Sequence, residues 1–597
     1  MNVQHKLSIM RPPRVQITYD VETLGSFETK EIPFVLGIIA DLAGATQLEP
    51  FYKRRFILID GGNFDDVLSS VAPTLGITLD GEEIALKFAK FSDFSPDSIV
   101  QAVPPLQLLL SRRVTLVDLV GKLDGNVALN KALLAGDDVE IKKILGDRGD
   151  EILSAFAEID DAEKTSKPYQ VVIKEIVNLD KQLSEKLDLV LHNPDYMKLS
   201  TAWLGLRYLV TNTPSNAKLK LKVLIASRDE IEKDMDSVAS FDTSNLFKKV
   251  YEEEYGTPGG EPYSCLVVDE YFGRSNSDIE YARRLTEVAC ASHAPIITGT
   301  SPLMFGLESF QDLGKINDLH KVFESSEAAK FNGLRESDSS CYISFAMPRV
   351  MLRAPYHHLD NPIKSFRYVE TITEDNHLCW GNAAYSVAGR VVEAYVLHGW
   401  TAAIRGVEGG GLVENLPSYV FKTEHGDVVM KCPTEIAITD RRERELSDLG
   451  FLTLCHIKDS DKAVLFGAQT AQKPKKYLSK DATANALLSV RLPYVMNCSR
   501  FAHYIKVMMR DKIGTVMTGA DIEFFLQNWL GQYVLLSDEG SVMIKAQKPL
   551  REGLVSVTAD EERPGSYRAV LHLRPHFQME DLGVSIRLVA KIPELLA

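Results

Sequence analysis

The stretch EYGTPGGEPYSCLVVDEYF, residues 254–272, sets Gly256, Gly259 and Gly260 ahead of an apolar run that ends at Asp269. A glycine loop beside a buried strand can hold a phosphate on its backbone amides. Two features oppose that chemistry here. The loop lacks the Lys-Ser/Thr pair that reaches phosphate and magnesium, and it precedes its strand, whereas phosphate loops follow a strand and open a helix. Glycine is also the default residue of left-handed turns, so Gly259 and Gly260 read as a structural turn. The second cluster, RGVEGGGLVENLP at 405–417, also lacks Lys-Ser/Thr, and Gly410 reads the same way.

Other reactive residue types are present without the spacing that chemistry needs. His357-His358 stands outside any HExxH frame and reads as a pair of loop histidines. His503, in SRFAHYIKVMMRD, shares an apolar helical face with Val507 and reads as an interior histidine. There is no GxSxG elbow. The mixed charges of TDRRERELSDLGF (439–451) and MMRDKIG (508–514) fit solvated helix faces with i,i+4 pairs or a charged subunit interface. No catalytic residue, cofactor site or metal set is assigned.

The formal net charge of −15 over 597 residues argues against general nucleic-acid binding, which needs a basic surface to displace counterions. No 18-residue apolar run occurs, so no direct membrane insertion is expected. The N-terminal residues lack an apolar core followed by a small-residue cleavage site. The seven cysteines are scattered with no CxxC, as expected of reduced thiols in a cytoplasm.

The elements that must position these residues are α/β in pattern. Val15, Ile17, Tyr19 and Val21 alternate with polar residues, as in a half-buried strand. EIPFVLGIIADLAG is a more fully apolar strand, and Phe56 to Ile59 is another. A helix follows with Phe64, Val67, Leu68 and Val71 on one face and Asn63 placed to cap it. Residues 82–91 alternate again. Residues 94–123 are helical with a break at Pro104-Pro105, and 129–159 are helical and charged. Asp160 to Lys167 has no apolar period and reads as a linker. Tyr169, Val171 and Ile173 alternate, which predicts a short strand. Leu179, Leu183, Leu187 and Leu191 mark a helix, and Pro194 opens a second. From KLKLKVLIAS onward, strands at Cys265–Val268 and PIITGT alternate with helices, and their apolar runs suit burial on both faces. After Thr483 come a long helix broken at Pro493, an amphipathic helix with Ile522, Phe525, Leu526 and Trp529, and closing strands.

Read together and in order, many stretches resemble the contractile sheath of the bacterial type VI secretion system. PPRVQITYDVET, KEIPFVLGIIADLAG, RRFILIDGGNFDDVL and FSPDSIVQAVPPLQLLL resemble the small sheath subunit. LDLVLHNPDYMKLSTAWLGLRYLV, YEEEYGTPGGEPYSCLVVDEYF, LRESDSSCYISFAMPRVMLRAPY, LCWGNAAYSVAGR, GWTAAIRGVEGGGLVENLP, SRFAHYIKVMMRDKIG and LRPHFQMEDLGVSIRLVAKIP resemble the large one. The family normally has two chains; here both lie on one.

The resemblance implies a multidomain α/β (α+β), phage-tail-sheath-like protomer, with mixed sheets flanked by helices and strands exchanged between subunits. The regions it implies are 1–159 (small subunit), 160–178 (fusion linker with a candidate strand), 179–482 (large-subunit N-terminal and middle domain) and 483–597 (inner domain). It implies a structural role, not catalysis: self-assembly into a helical sheath around an inner-tube ring protein, on baseplate proteins, with contraction driving the tube outward. A recycling AAA+ ATPase is a further implied partner, although the helix it recognises has no clear counterpart here. The fusion joint lies where a family arm would lie, so Val15, Ile17, Tyr19, Tyr169, Val171 and Ile173 are expected in an intersubunit sheet. Asp521 and Glu523, off the apolar stripe of their helix, are expected to face the tube. The competing readings are a cytoplasmic nucleotide-dependent α/β enzyme using Gly256–Gly260 or Gly409–Gly411, and a non-contractile filament scaffold.

Overall fold

A computed structural model describes residues 20–23, 26–29, 32–135, 138–145, 149–157, 168–214, 218–255, 257, 260–422, 425–511, 518–536, 541–559 and 567–576. The chain divides into two compact units, residues 1–514 and 515–597.

The first unit is organised by FVLGIIA. These seven apolar residues form strand β1 (Phe34–Ala40), and all seven are buried. A strand with no polar alternation must be covered on both faces, and β1 lies inside a nine-stranded sheet. The other strands are β2 (Ile57–Ile59), β3 (Leu219–Ile225), β4 (Tyr263–Phe272), β5 (Ile296–Thr300), β6 (Ile343–Met347), β7 (Leu412–Val413), β8 (Phe451–His456) and β9 (Ala463–Leu465). Their order is β7-β9-β8-β6-β5-β4-β1-β3-β2. The six from β8 to β3 run parallel, and antiparallel strands close each end. In register, Ile38 lies between Val223 of β3 and Val267 of β4.

Side chains alternate across a strand, and β1 divides accordingly. Phe34, Leu36 and Ile38 join a cluster with Trp203, Leu206 and Val387. Val35 and Ile39 join a second with Leu266, Ile279, Phe247 and Phe451. Helix α1 (Phe64–Val71) buries the expected Phe64, Val67, Leu68 and Val71. Asn63 occupies the cap position but makes no capping bond. Its side chain instead accepts from the Asp60 amide at 2.8 Å and donates to the Leu58 carbonyl at 3.0 Å, fixing the Asp-Gly-Gly turn.

A helical bundle carries the third core. Helix α2 (Pro104–Leu123) and helix α3 (Pro168–Leu191) pack around Leu116, Leu119, Leu123, Val171, Val172 and Leu179, with shorter helices between them in sequence. Arg112 reaches Glu175 at 2.7 Å, and Arg113 pairs with Asp180. The expected strand over Tyr169, Val171 and Ile173 is therefore wrong. Those residues form the first turns of α3, with Pro168 at its start, where a missing N–H costs nothing. Val171 and Val172 are both buried in the cluster with Leu116, Leu119 and Leu179. Val172, Ile176, Leu179 and Leu183 carry the leucine period back to the helix start. The alternation of 169, 171 and 173 was accidental to it. Helix α4 (Pro194–Thr211) follows, capped by Asn193, whose side chain accepts from the Asp195 and Tyr196 amides.

The second unit is a helix-backed hairpin. Helix α5 (Gly519–Gly531) buries Ile522, Leu526 and Leu530. Strands β10 (Leu550–Ala559) and β11 (Tyr567–Pro575) pair antiparallel, with Val555 opposite Leu571. Leu530 packs against Gly553, where an added Cβ would come within 2.7 Å of it.

Candidate assembly surfaces

The two glycine loops are built by their own backbones. Gly260 donates its amide to the Thr257 carbonyl at 3.1 Å, and the Glu261 amide goes to the Glu254 carboxylate at 2.6 Å. Glu254 also holds Lys222 at 2.9 Å, and Glu261 holds Lys220 at 2.5 Å. Carboxylates stand where a phosphate would need a positive field. A Cβ on Gly260 would lie 2.2 Å from the Glu254 carbonyl oxygen, so only glycine fits. Gly259 and Gly256 lie outside the described residues. In the second loop Gly410 has φ +86°, a region that disfavours side chains. The Gly406 amide donates to Leu465, Gly411 donates to Gly406, and Leu465 donates back to Gly411, all near 2.9 Å. This loop ties itself onto β9.

The histidines are structural as well. His503 is fully buried and its Nε2 lies 3.1 Å from the Ser292 carbonyl, while burial pushes its pKa down to about 3. His357 pairs with Asp360 at 3.4 Å in a loop, and among the described residues no group of three or more metal-binding side chains is gathered. Glu445 takes Arg441 at 2.9 Å and Arg442 at 2.8 Å, the local pairing expected of that helix.

Strand edges are the feature that can join one copy to another. In the second unit the two edges of the hairpin differ. On β10 three outward backbone groups are occupied: Gln527 of α5 donates to the Gly553 carbonyl and accepts from the Val555 amide, each at 2.9 Å, and Glu523 accepts from the Val557 amide at 2.8 Å. Residues opposite each other in an antiparallel pair turn their backbone groups both inward or both outward, so Ala569, Leu571 and Leu573 of β11, opposite Val557, Val555 and Gly553, direct theirs outward. No described residue bonds them. One face of the hairpin rests on α5; the other exposes Leu554 and Val570 at 58% and 43%. An open, half-apolar edge is a template for an added strand.

These contacts also place the two acids expected at the tube. Asp521 belongs to a capping box with Thr518, whose hydroxyl it accepts at 2.7 Å. Glu523 closes the β10 edge. Both therefore work inside the unit, and reversing their charge would disturb it. Sequence reasoning missed the edge-capping of Glu523 and Gln527, spaced i, i+4 on one helix face; that spacing was the only signal available. Val15, Ile17 and Tyr19 lie outside the described residues.

Among the described residues, the glycine loops and the histidines singled out by sequence are held by contacts within the chain. Three sequence-family models match it in chain order. "Type VI secretion system, VipA, VC_A0107 or Hcp2" covers residues 7–145. "EvpB/VC_A0108, tail sheath N-terminal domain" covers 173–472. "EvpB/VC_A0108, tail sheath gpW/gp25-like domain" covers 481–592. The type VI secretion system sheath protein TssC1 of Pseudomonas aeruginosa is 44% identical over 423 residues, which is 70% of this chain and 85% of TssC1. TssB1 of the same organism is 35% identical over 133 residues, 21% of this chain and 77% of TssB1. The chain belongs to the type VI secretion system tail-sheath family, with the two sheath regions fused on one polypeptide. It is a structural subunit of a contractile sheath. The solved contracted helical sheath of the anti-feeding prophage covers 66% of this chain and 82% of its own, at 14% identity and a TM-score of 0.31, too loose a likeness to bear on the fold.

Proposed function

We propose that the protomer joins its neighbours by adding a strand to the open edge of β11, in a sheath that surrounds an inner tube of ring protein, grows from a baseplate in the bacterial cytoplasm and contracts to drive the tube out. The observation that carries this reading is the asymmetry of the hairpin. One edge is closed by Gln527 and Glu523, and the other is left open on Ala569, Leu571 and Leu573. An edge open on one side of the hairpin sets the direction of addition there, and a heterologous contact that does not close a ring produces an open filament. The donor is the alternating N-terminal segment with Val15, Ile17 and Tyr19. Backbone hydrogen bonds hold such a joint while the compact units rotate as bodies, and contraction releases free energy trapped on assembly. Asp521, exposed at the helix start, contributes charge toward the tube, and a recycling AAA+ ATPase disassembles the contracted polymer.

Ala569→Pro tests the joint. It deletes an outward donor and leaves the β10–β11 ladder intact, because Arg568 and Val570 make the inward bonds. The expected result is folded protomer that forms no filaments by negative-stain microscopy. Filaments of normal length would refute the edge assignment.

A further inference from the structure

The N-terminal segment joins the first unit at one guanidinium. The antiparallel strands Asp20–Thr23 and Ser26–Thr29 form a sheet of their own, and the main sheet begins at Phe34. Ile32 and Pro33 connect the two, and both are held by Arg500 of the helix Leu492–Asp511. Its Nη1 donates to the Pro33 carbonyl at 3.2 Å and to the Ser264 hydroxyl of β4 at 3.1 Å. Its Nη2 donates to the Ile32 carbonyl, and to the Tyr504 hydroxyl at 3.4 Å. The guanidinium also lies 4.8 Å from the ring centre of Tyr504 and 5.8 Å from that of Tyr395. Arg500 is buried, and so is the Ile32 side chain, which packs with Tyr255 and with Val507 of the same helix.

Buried carbonyls need a donor, and arginine supplies a rigid planar fork that can hold several acceptors at once. The element that provides it here is the helix ending at Asp511, just before Thr515, where the second unit begins. In a polymer built by strand addition each copy is held at two joints. Its N-terminal segment enters one neighbour, and its β11 receives the segment of another. The roots of both joints, Ile32 and the helix Leu492–Asp511, meet at Arg500.

We propose that Arg500 is a positioning residue for assembly: it ties the root of the donor segment to the helix that leads to the acceptor hairpin, so that tension crosses each copy through that helix. The proposal rests on the strand-addition reading above. Without the tie, a pull on Ile32 falls on the end of β1 and opens its bonds to β3 and β4 one after another, beginning where the Phe34 amide meets the Lys218 carbonyl.

The test uses the full chain and compares variants on either side of Phe34. Arg500→Lys keeps the buried charge and one donor but cannot span the four acceptors. Ile32→Ala loosens the apolar half of the tie and strands no polar group. Ile38→Ala makes the same truncation inside the sheet, at a position that is also buried, and serves as the control. Each is measured by urea unfolding of unassembled protomer and by filament length in negative stain after a fixed shear flow. Arg500→Lys and Ile32→Ala are expected to give filaments at least threefold shorter than wild type. Ile38→Ala is expected to keep wild-type length, although its unfolding midpoint falls at least as far as that of Ile32→Ala. Wild-type length for Ile32→Ala, or lengths that simply follow the midpoints, overturns the proposal; if Arg500→Lys is unfolded by circular dichroism, Ile32→Ala against Ile38→Ala decides. Ala569→Pro in the same series separates the two readings. Normal filaments from it refute strand addition at β11 and this proposal with it, whereas filament loss there beside wild-type lengths for Arg500→Lys and Ile32→Ala refutes the tie alone.

Discussion

Gly410→Ala separates a structural loop from a nucleotide loop. The φ of +86° at this position costs an L-residue roughly 1–2 kcal/mol. The new Cβ would also lie 2.4 Å from the Ala403 carbonyl oxygen, a backbone atom that moves only with its loop. Relieving an overlap of that kind typically costs about 1–3 kcal/mol. Together the two effects predict a loss of about 2–5 kcal/mol. The assay is urea unfolding of unassembled protomer followed by circular dichroism, with the midpoint expected to fall at constant slope. ATP titration of wild type and variant serves as the parallel measurement, and neither is expected to bind. A variant as stable as wild type, or micromolar ATP binding abolished by the substitution, would refute the loop assignment.

Three other outcomes follow from the same contacts. Glu370 is buried and takes Arg353 at 2.7 and 3.0 Å; burial alone would raise its carboxyl, but Arg353, His192 and the Tyr356 amide hold it down to about 2. Its contribution, on the order of 3 kcal/mol, is present above the ordinary carboxyl pKa near 4.5 and is lost as pH falls from there toward 2. Glu370→Gln should therefore destabilise at pH 7 by about 3–5 kcal/mol by stranding Arg353, and flatten that acid limb in a pH series of unfolding midpoints. A protease site placed within residues 158–167 should give two fragments that co-elute after cleavage, because β1 is bonded on one edge to β3 and on the other to β4; separate elution would contradict the sheet order. Ile38→Ala, at a fully buried position in β1, should cost about 2–5 kcal/mol in urea unfolding, and a smaller loss would contradict its place in the core.

How much of this could be read from the residues depends on range. FVLGIIA announces a doubly buried strand by its unbroken apolar run, and Phe64, Val67, Leu68 and Val71 announce a helix face by their spacing. Neither pattern says that residues 34–40 lie between 219–225 and 263–272, because strand order is set by long-range pairing and not by local period. Five residues at 169–173 are too few to distinguish alternation from the start of a leucine helix. The structure resolved that case by running one helix from Pro168 to Leu191. Glu523 was expected at the tube and Gln527 drew no attention, because their partners, the Val557 and Val555 amides and the Gly553 carbonyl of β10, carry no sequence signal.

The most direct test of sheath assembly through one strand edge is a cryo-EM reconstruction of filaments grown from the purified chain. The account predicts a helical polymer in which density for a further strand, from another copy, runs along the outward groups of Ala569, Leu571 and Leu573. Filaments in which that edge faces solvent, or discrete particles in place of filaments, would contradict it.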